Sequence, residues 1–162
     1  MNRNEYNIAV EKWSDPLFRF SVNFLKNKEE ARDIVQDVFE KLWLNRDKIE
    51  VEKAKSWLFT CAHNAMINFV QKKARTTLLE NHQLPERGEI THFNFESKQA
   101  IDHIVSILPP LQKSIILLRD LEGYAYDEIG EILGVSESQV KVYLFRARMK
   151  IKKQLKGLNE LA

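Results

Sequence analysis

Lys141, Arg146, Arg148, Lys152 and Lys153 fall on one side of a predicted helix whose other side carries Val140, Leu144, Ala147, Ile151 and Leu155 at helical spacing. Cations ranged opposite an apolar stripe, with no acid in residues 138–159, can meet phosphates along a duplex while the side chains between them reach base edges in the major groove. Two glycines position that helix. Gly134, between Leu133 and Val135, stands where a preceding helix must end in a positive-φ conformation. Gly130, one turn earlier, removes a side chain that would hold the second helix away. Ser136 supplies the N-cap. Residues 126–156 therefore predict a helix-turn-helix that binds DNA. A solvated cationic helix would not need glycines, cap and stripe to agree.

Total charge does not suggest this, for the formal net charge is +2 from 25 basic and 23 acidic residues. The distribution does. Residues 29–52 hold eight acids and four bases, and residues 53–79 hold five bases and no acid. Residues 80–137 sum to −7 and residues 138–162 to +6. Two basic blocks alternating with two acidic ones predict two nucleic-acid contacts and at least one surface for another partner. With 162 residues, five Gly and four Pro, and apolar residues recurring at three and four, an all-α chain of one domain or two small ones is expected. No apolar run reaches membrane-spanning length and the N-terminus lacks a signal-peptide core, so a soluble, cytoplasmic location is expected. The lone cysteine, Cys61, lies in an apolar stripe and reads as a buried, inert thiol. The four histidines lack metal-ligand spacing, and no metal is expected.

Caps and periodicity predict the elements behind these blocks. A first helix covers residues 5–13. Asp15 caps a second that begins with Pro16, where a missing N–H costs nothing, and carries Phe18, Phe20, Val22, Phe24 and Leu25. Asn27 caps a third, with Glu29 and Glu30 in its first turn. Its apolar face is Ala31, Ile34, Val35, Val38, Phe39, Leu42 and Trp43; Asp33, Gln36, Asp37, Glu40 and Lys41 line the other. A fourth helix, about residues 53–75, turns Ala54, Trp57, Leu58, Cys61, Ala62, Ala65 and Phe69 inward. Phe59, His63 and Ile67 point away from that stripe, and Thr60, Asn64 and Gln71 run along its edge. Asn68 falls within the apolar arc, so it needs a hydrogen-bond partner there or a place at the margin. Lys72, Lys73 and Arg75 close the helix. Neutral hydrogen-bonding residues beside an aromatic, ending in bases, suit single-stranded nucleic acid; another helix could equally cover Phe59 and Ile67. Residues 76–99 lack helical periodicity and predict a linker of 24 residues, reaching about 80 Å when extended. Beyond it a helix is predicted around residues 100–107, a break at Leu108-Pro109-Pro110, a helix over 111–118 and a loop at Glu122-Gly123.

The string DIVQDVFEKLW (residues 33–43), followed by KSWLFTCAHNAMINFVQKKAR (55–75), resembles the sigma-two domain of extracytoplasmic-function (ECF) sigma factors, which are bacterial transcription initiation factors. LPPLQKSIILLRDLEGYAYDEIGEILGVSESQVKVYLFRAR (108–148) resembles their sigma-four domain. The two motifs stand in the right order and cover most of the chain outside the linker. The resemblance implies two small helical domains, residues 1–75 and 100–162, on a flexible linker (76–99), with no catalytic activity, cofactor or small-molecule substrate. It implies that the third helix docks on the clamp coiled coil of the largest subunit of core RNA polymerase through Asp33, Gln36, Asp37 and Trp43. The fourth helix and the loop before it (47–56) would bind the minus-ten element and hold a flipped non-template base of the opened, single-stranded promoter. Asn64 and Asn68 match positions near that base, with Lys72 and Arg75 on phosphates; Phe59 joins this set if it stacks on a base and the core if it packs inside. The recognition helix would read the double-stranded minus-thirty-five element through Ser136, Ser138, Gln139, Lys141, Val142, Phe145, Arg146 and Arg148. An anti-sigma factor, commonly membrane-anchored, is a further implied partner.

The recognition helix departs from the commonest family pattern. Where many members have threonine and then basic-Ser-Arg, this chain has Gln139 and then Lys141, Val142 and Tyr143. Gln139 could pair bidentately with adenine, and Val142 and Phe145 could touch thymine methyl groups, which predicts an A/T-leaning upstream element. A dimeric regulator of duplex DNA would leave the acidic third-helix stripe and the neutral polar fourth helix unexplained. A carboxylate metal enzyme built on Glu29, Glu30, Asp33, Asp37 and Glu40 would have its acids splayed toward solvent from one helix, with no histidine among them.

Overall fold

A computed structural model describes residues 1–81 and 97–161, and among them it contains helices and no strand. The elements are α1 (Arg3–Leu25), α2 (Lys28–Leu44), α3 (Ala54–Asn81), α4 (Ser97–Ser106), α5 (Pro110–Ile116), α6 (Tyr126–Leu133) and α7 (Glu137–Leu161). Short 3-10 turns, Arg46–Lys48 and Val51–Lys53, lead into α3.

The two helices expected on either side of Asp15 are one. Asn2 and Glu5 open α1 with a capping box, Glu5 N–H donating to Asn2 Oδ1 at 2.8 Å and Asn2 N–H to Glu5 Oε2 at 3.0 Å. Pro16 lies inside this helix. The missing backbone bond is tolerated because Ala9, Leu17, Phe20 and Phe24, on both sides of the proline, form one buried stripe, and apolar burial outweighs one lost hydrogen bond. Lys26 ends α1 at φ 56°, its N–H bonded to Val22 O at 2.8 Å. Asn27 then caps α2 as expected, accepting from Glu30 N–H at 3.1 Å.

Helices α1, α2 and α3 pack on one another around Leu17, Phe20, Phe24, Val38, Leu42, Leu58, Ala62 and Met66, all buried. The second unit gathers α4 to α7 around Ile104, Ile115, Leu118, Ile129, Ile132, Val140, Leu144 and Ala147. Pro110 stands in the first turn of α5, where its missing N–H is no loss. That helix runs on into a π turn, Leu117–Leu121, closed by Glu122 N–H on Leu117 O at 3.0 Å. Gly123 then reverses the chain at φ 73°.

The ordered helices also cut into the expected linker. Residues 76–81 continue α3 and residues 97–99 open α4, while residues 82–96 lie outside the described part. A helical residue rises only about 1.5 Å, so the greatest reach of residues 76–99 falls from about 80 Å to about 60 Å.

The two units touch directly. The α3 face carrying Phe59 and His63 packs on α6 and on the segment around the π turn. It was expected to face outward or to lie under a helix of its own domain. It is covered from both sides: Phe20 and Phe24 of α1, in its own domain, lie against Phe59 and His63, and Tyr124 and Ser114 of the second unit cover them as well.

Candidate nucleic-acid interface

Local chemistry builds the helix-turn-helix. Gly134 adopts φ 70° and ends α6, and Gly130 O receives the N–H groups of both Gly134 and Val135, the latter at 3.0 Å. A Cβ on Gly130 would lie 2.7 Å from Val135 O and 3.7 Å from Glu137 N. The bare glycine therefore admits the turn and the first residue of α7, rather than the flank of that helix. Ser136 Oγ accepts from Gln139 N–H at 3.1 Å, and Ser136 N–H donates to Gln139 Oε1 at 2.9 Å. The cap is thus a reciprocal box, legible in the spacing S-x-x-Q and missed in the sequence reading.

Val140, Leu144 and Ala147 point inward and are buried, with Ile151 and Leu155 half-buried. Ser138, Gln139, Lys141, Val142, Phe145 and Arg146 are exposed, Phe145 at 66%. Arg146 makes no bond within the described residues. Arg148 does: its guanidinium grips Asp120, Nη2 to Oδ1 at 2.5 Å and Nε to Oδ2 at 3.3 Å. Lys141 lies 3.8 Å from Glu137 and 5.5 Å from the Tyr126 ring centre.

On α3, Asn64, Asn68, Lys72 and Arg75 form one exposed line at intervals of four, four and three, without partners among the described residues. Asn68 takes the marginal place that its polarity required. Phe59 does not belong with them. It is fully buried, its ring 5.6 Å from that of Phe20 and 5.4 Å edge-on from that of Tyr124. At 100° per residue it lies roughly 140–180° around the helix from Asn64 and Asn68, so the packing alternative holds for Phe59.

On α2, Asp33, Gln36 and Asp37 are exposed and likewise unpartnered among the described residues. Trp43 is half-buried, with Tyr6 packed edge-on at 4.9 Å and the Arg46 guanidinium 3.9 Å above its ring. It fixes α1 against α2 and stays partly exposed.

Comparison with known proteins joins these surfaces. Residues 9–76 match the family model of Sigma-70 region 2, and residues 98–151 that of Sigma-70, region 4. The ferric citrate uptake sigma factor FecI of Escherichia coli (strain K12) is 31% identical over 129 residues, 76% of this chain and 75% of that protein. The chain belongs to the ECF sigma factors. The ECF RNA polymerase sigma factor SigM of Bacillus subtilis (strain 168) is 26% identical over 146 residues, 88% of this chain and 90% of that one. In fold, the chain is similar to the sigma factor RpoE solved in complex with the anti-sigma factor NepR from Bartonella quintana, with a TM-score of 0.75 at 23% identity over 93% of this chain and 96% of that one. Members of this family act in transcription initiation rather than catalysis. Among the described residues of this sigma factor, no helix is long and apolar enough to cross a membrane.

The contact between the two units of the sigma factor is polar at its rim and apolar at its centre. Lys55 Nζ meets Glu128 at 2.5 Å and lies 3.7 Å from the Tyr124 ring centre, Lys53 meets Glu131 at 2.8 Å, and Arg19 holds Glu122 through two bonds of 2.8 Å. Thr60 Oγ1 donates to Ile132 O at 2.8 Å. Lys53 and Lys55, which belong to the basic block of residues 53–79, are thus engaged by acids of α6. Burial pushes the Tyr124 hydroxyl pKa up to about 12, helped by Glu122. Cys61 is half-buried, and burial raises its thiol pKa, as an inert cysteine requires. Sequence reasoning missed Lys113, whose ammonium is buried 3.4 Å from Phe24 O and 4.4 Å from the Phe24 ring centre. Burial, then the nearby Lys26 charge, lowers its pKa.

His63 Nδ1 and Ser114 Oγ are 2.6 Å apart across the contact, and burial lowers the His63 pKa from 6.5 to about 4. The unfolded chain takes up a proton below about pH 6.5 and the folded one only near pH 4. Stability is therefore fully present above pH 6.5 and is lost as pH falls through that window. Between pH 7.5 and 5 this should cost about 2 kcal/mol. Urea unfolding of the native chain and of His63→Gln at both pH values checks this, since the variant should lack that increment. Equal pH dependence in the two proteins would contradict it.

Proposed function

We propose that this sigma factor docks on the clamp of the largest subunit of core RNA polymerase through Asp33, Gln36, Asp37 and Trp43, and reads two promoter elements. In this reading α3 meets the minus-ten element, with Asn64 and Asn68 beside a flipped non-template base and Lys72 and Arg75 on phosphates. The exposed face of α7 reads the minus-thirty-five element. The observation that carries the reading is the set of outward-facing polar ends on α2, α3 and α7, those of Asp33, Asp37, Asn64, Asn68, Lys72, Arg75 and Arg146 having no partner among the described residues. Polar groups that bond to nothing among the described residues are available to stabilise a complex.

Magnitudes require the polymerase. Separating about ten base pairs costs around 14 kcal/mol, at roughly 1.4 kcal/mol per step. Stacking returns roughly 1–3 kcal/mol per captured base, and a domain this small holds one or two. The enzyme must supply the difference. Elements about two helical turns apart lie some 70 Å from each other, so α6 must leave α3 before both are read. Residues 76–99 reach at most about 60 Å, so the rest of that separation falls to the widths of the units 1–75 and 100–162 themselves. By analogy with the RpoE–NepR complex, an anti-sigma factor, free or membrane-anchored, is the expected inhibitor of this chain in the cytoplasm.

Arg146→Ala tests the upstream contact. Transcription with core enzyme should fall about tenfold on promoters that depend on the minus-thirty-five element, with folding unchanged, since a base contact of this kind contributes about 1–3 kcal/mol. Unaltered transcription and footprints would remove Arg146 from the interface.

A further inference from the structure

The geometry points to Gln139 as a donor-only reader of the upstream element, selecting guanine or thymine rather than adenine at the base it faces. The inference rests on the proposed reading of α7. A backbone N–H only donates, so the group facing Ser136 N at 2.9 Å must be the carboxamide oxygen of Gln139. The same residue's N–H is held by Ser136 Oγ at 3.1 Å, so the side chain is folded back over the first turn by a two-bond box. Its Nε2 makes no bond within the described residues and remains to face a ligand.

Bidentate pairing with adenine needs both ends of the carboxamide, the oxygen accepting from N6 while the nitrogen donates to N7. Here the oxygen is already turned to Ser136 N–H at the helix N-terminus, so that pairing either shares the oxygen between two donors or opens the cap. Guanine asks for no such change, because O6 and N7 both accept, and thymine O4 accepts with no donor beside it; adenine offers a donor-only end N7 alone, where the neighbouring N6 amino group, itself a donor, opposes it. The surroundings agree. Gln139, Val142 and Arg146 line one shallow cleft with Ser138 and Tyr143, at spacings of three and four that place them along one face. Gln139 donates, Val142 offers an apolar surface suited to a thymine methyl, and Arg146 donates again. Of the adenine–thymine preference expected from sequence, the thymine contacts remain and the adenine contact is replaced.

The test uses the full chain with core RNA polymerase, transcribing from a promoter library whose upstream element is randomised, with the native protein, Gln139→Glu and Gln139→Ala. The glutamate keeps an oxygen for Ser136 N–H, so the box and the melting temperature should persist, but its outward end accepts instead of donating. The native protein should enrich guanine about tenfold over adenine at one position, the value of the added hydrogen bond to O6, with thymine between the two. Gln139→Ala should flatten that position alone, and Gln139→Glu should turn it to cytosine, whose N4 donates. Adenine chosen by the native protein at the position that Gln139→Ala flattens would overturn the inference. So would a Gln139→Glu profile identical to the native one. A native protein that selects no upstream base at any position would instead sink the promoter reading of α7 itself.

Discussion

Phe59→Ala should lower the unfolding free energy by about 3–5 kcal/mol, the usual loss for emptying a buried aromatic site. The ring is fully buried and touches both units, Phe20 on α1 and Tyr124 after the π turn. The cavity would open where the two units meet, so the contact should weaken together with the core of α1–α3. Urea denaturation should show a lower midpoint, and limited proteolysis should cut the variant faster than the native chain. Phe59→Leu keeps most of the apolar volume and should cost about 1 kcal/mol. It should also transcribe normally, because a packing role needs volume and a base-stacking role needs a ring. A Phe59→Ala protein within 1 kcal/mol of native stability (roughly the effect of a surface change), or a Phe59→Leu protein that folds but cannot initiate, would return Phe59 to the nucleic-acid surface.

Asp37→Lys should abolish transcription with core enzyme while leaving the fold intact. Asp37 is exposed on α2 and has no partner among the described residues, so its loss costs the folded chain no more than about 0.5 kcal/mol. In the proposed docking surface the same change sets a cation where Asp33, Gln36 and Asp37 present an acidic stripe. Placing like charges together in an interface costs several kcal/mol, which corresponds to at least about a hundredfold in affinity. Titration of labelled core polymerase measures this directly, and the thermal melt of the variant guards against misfolding. Asp37→Asn, which removes the charge without reversing it, should fall between. A variant that binds core enzyme as tightly as the native chain would move the docking surface away from α2.

Much of this was readable from the chain because it is local. The cap at Asn27, the C-terminal glycine at position 134, the Ser136 cap and the stripe from Val140 to Leu155 involve residues a few positions apart, and a helix fixes their geometry without help from elsewhere. The exposed lines on α2, α3 and α7 follow from the same period. The reciprocal half of the Ser136 box was equally local and could have been read. Pro16 was misread because its local cost was visible while the buried stripe spanning both sides of it, which outweighs that cost, depends on α2 and α3.

What the sequence determined by itself was the helices beyond α1, the caps at Asn27 and Ser136 and the exposed faces of α2, α3 and α7, since these rest on neighbours within one or two turns. What only the tertiary structure decided was the fate of the second apolar flank of α3. Phe59 and His63 stand at positions that suit a nucleic-acid surface as well as a core, and the choice was made by Phe20 and Phe24 on α1 together with Tyr124 and Ser114, the last 51 residues from His63. Likewise Lys53, Lys55 and Arg148 read as free cations until Glu131, Glu128 and Asp120 come within bonding distance. Periodicity says which side of a helix is apolar. Only the packing of distant segments says what covers it.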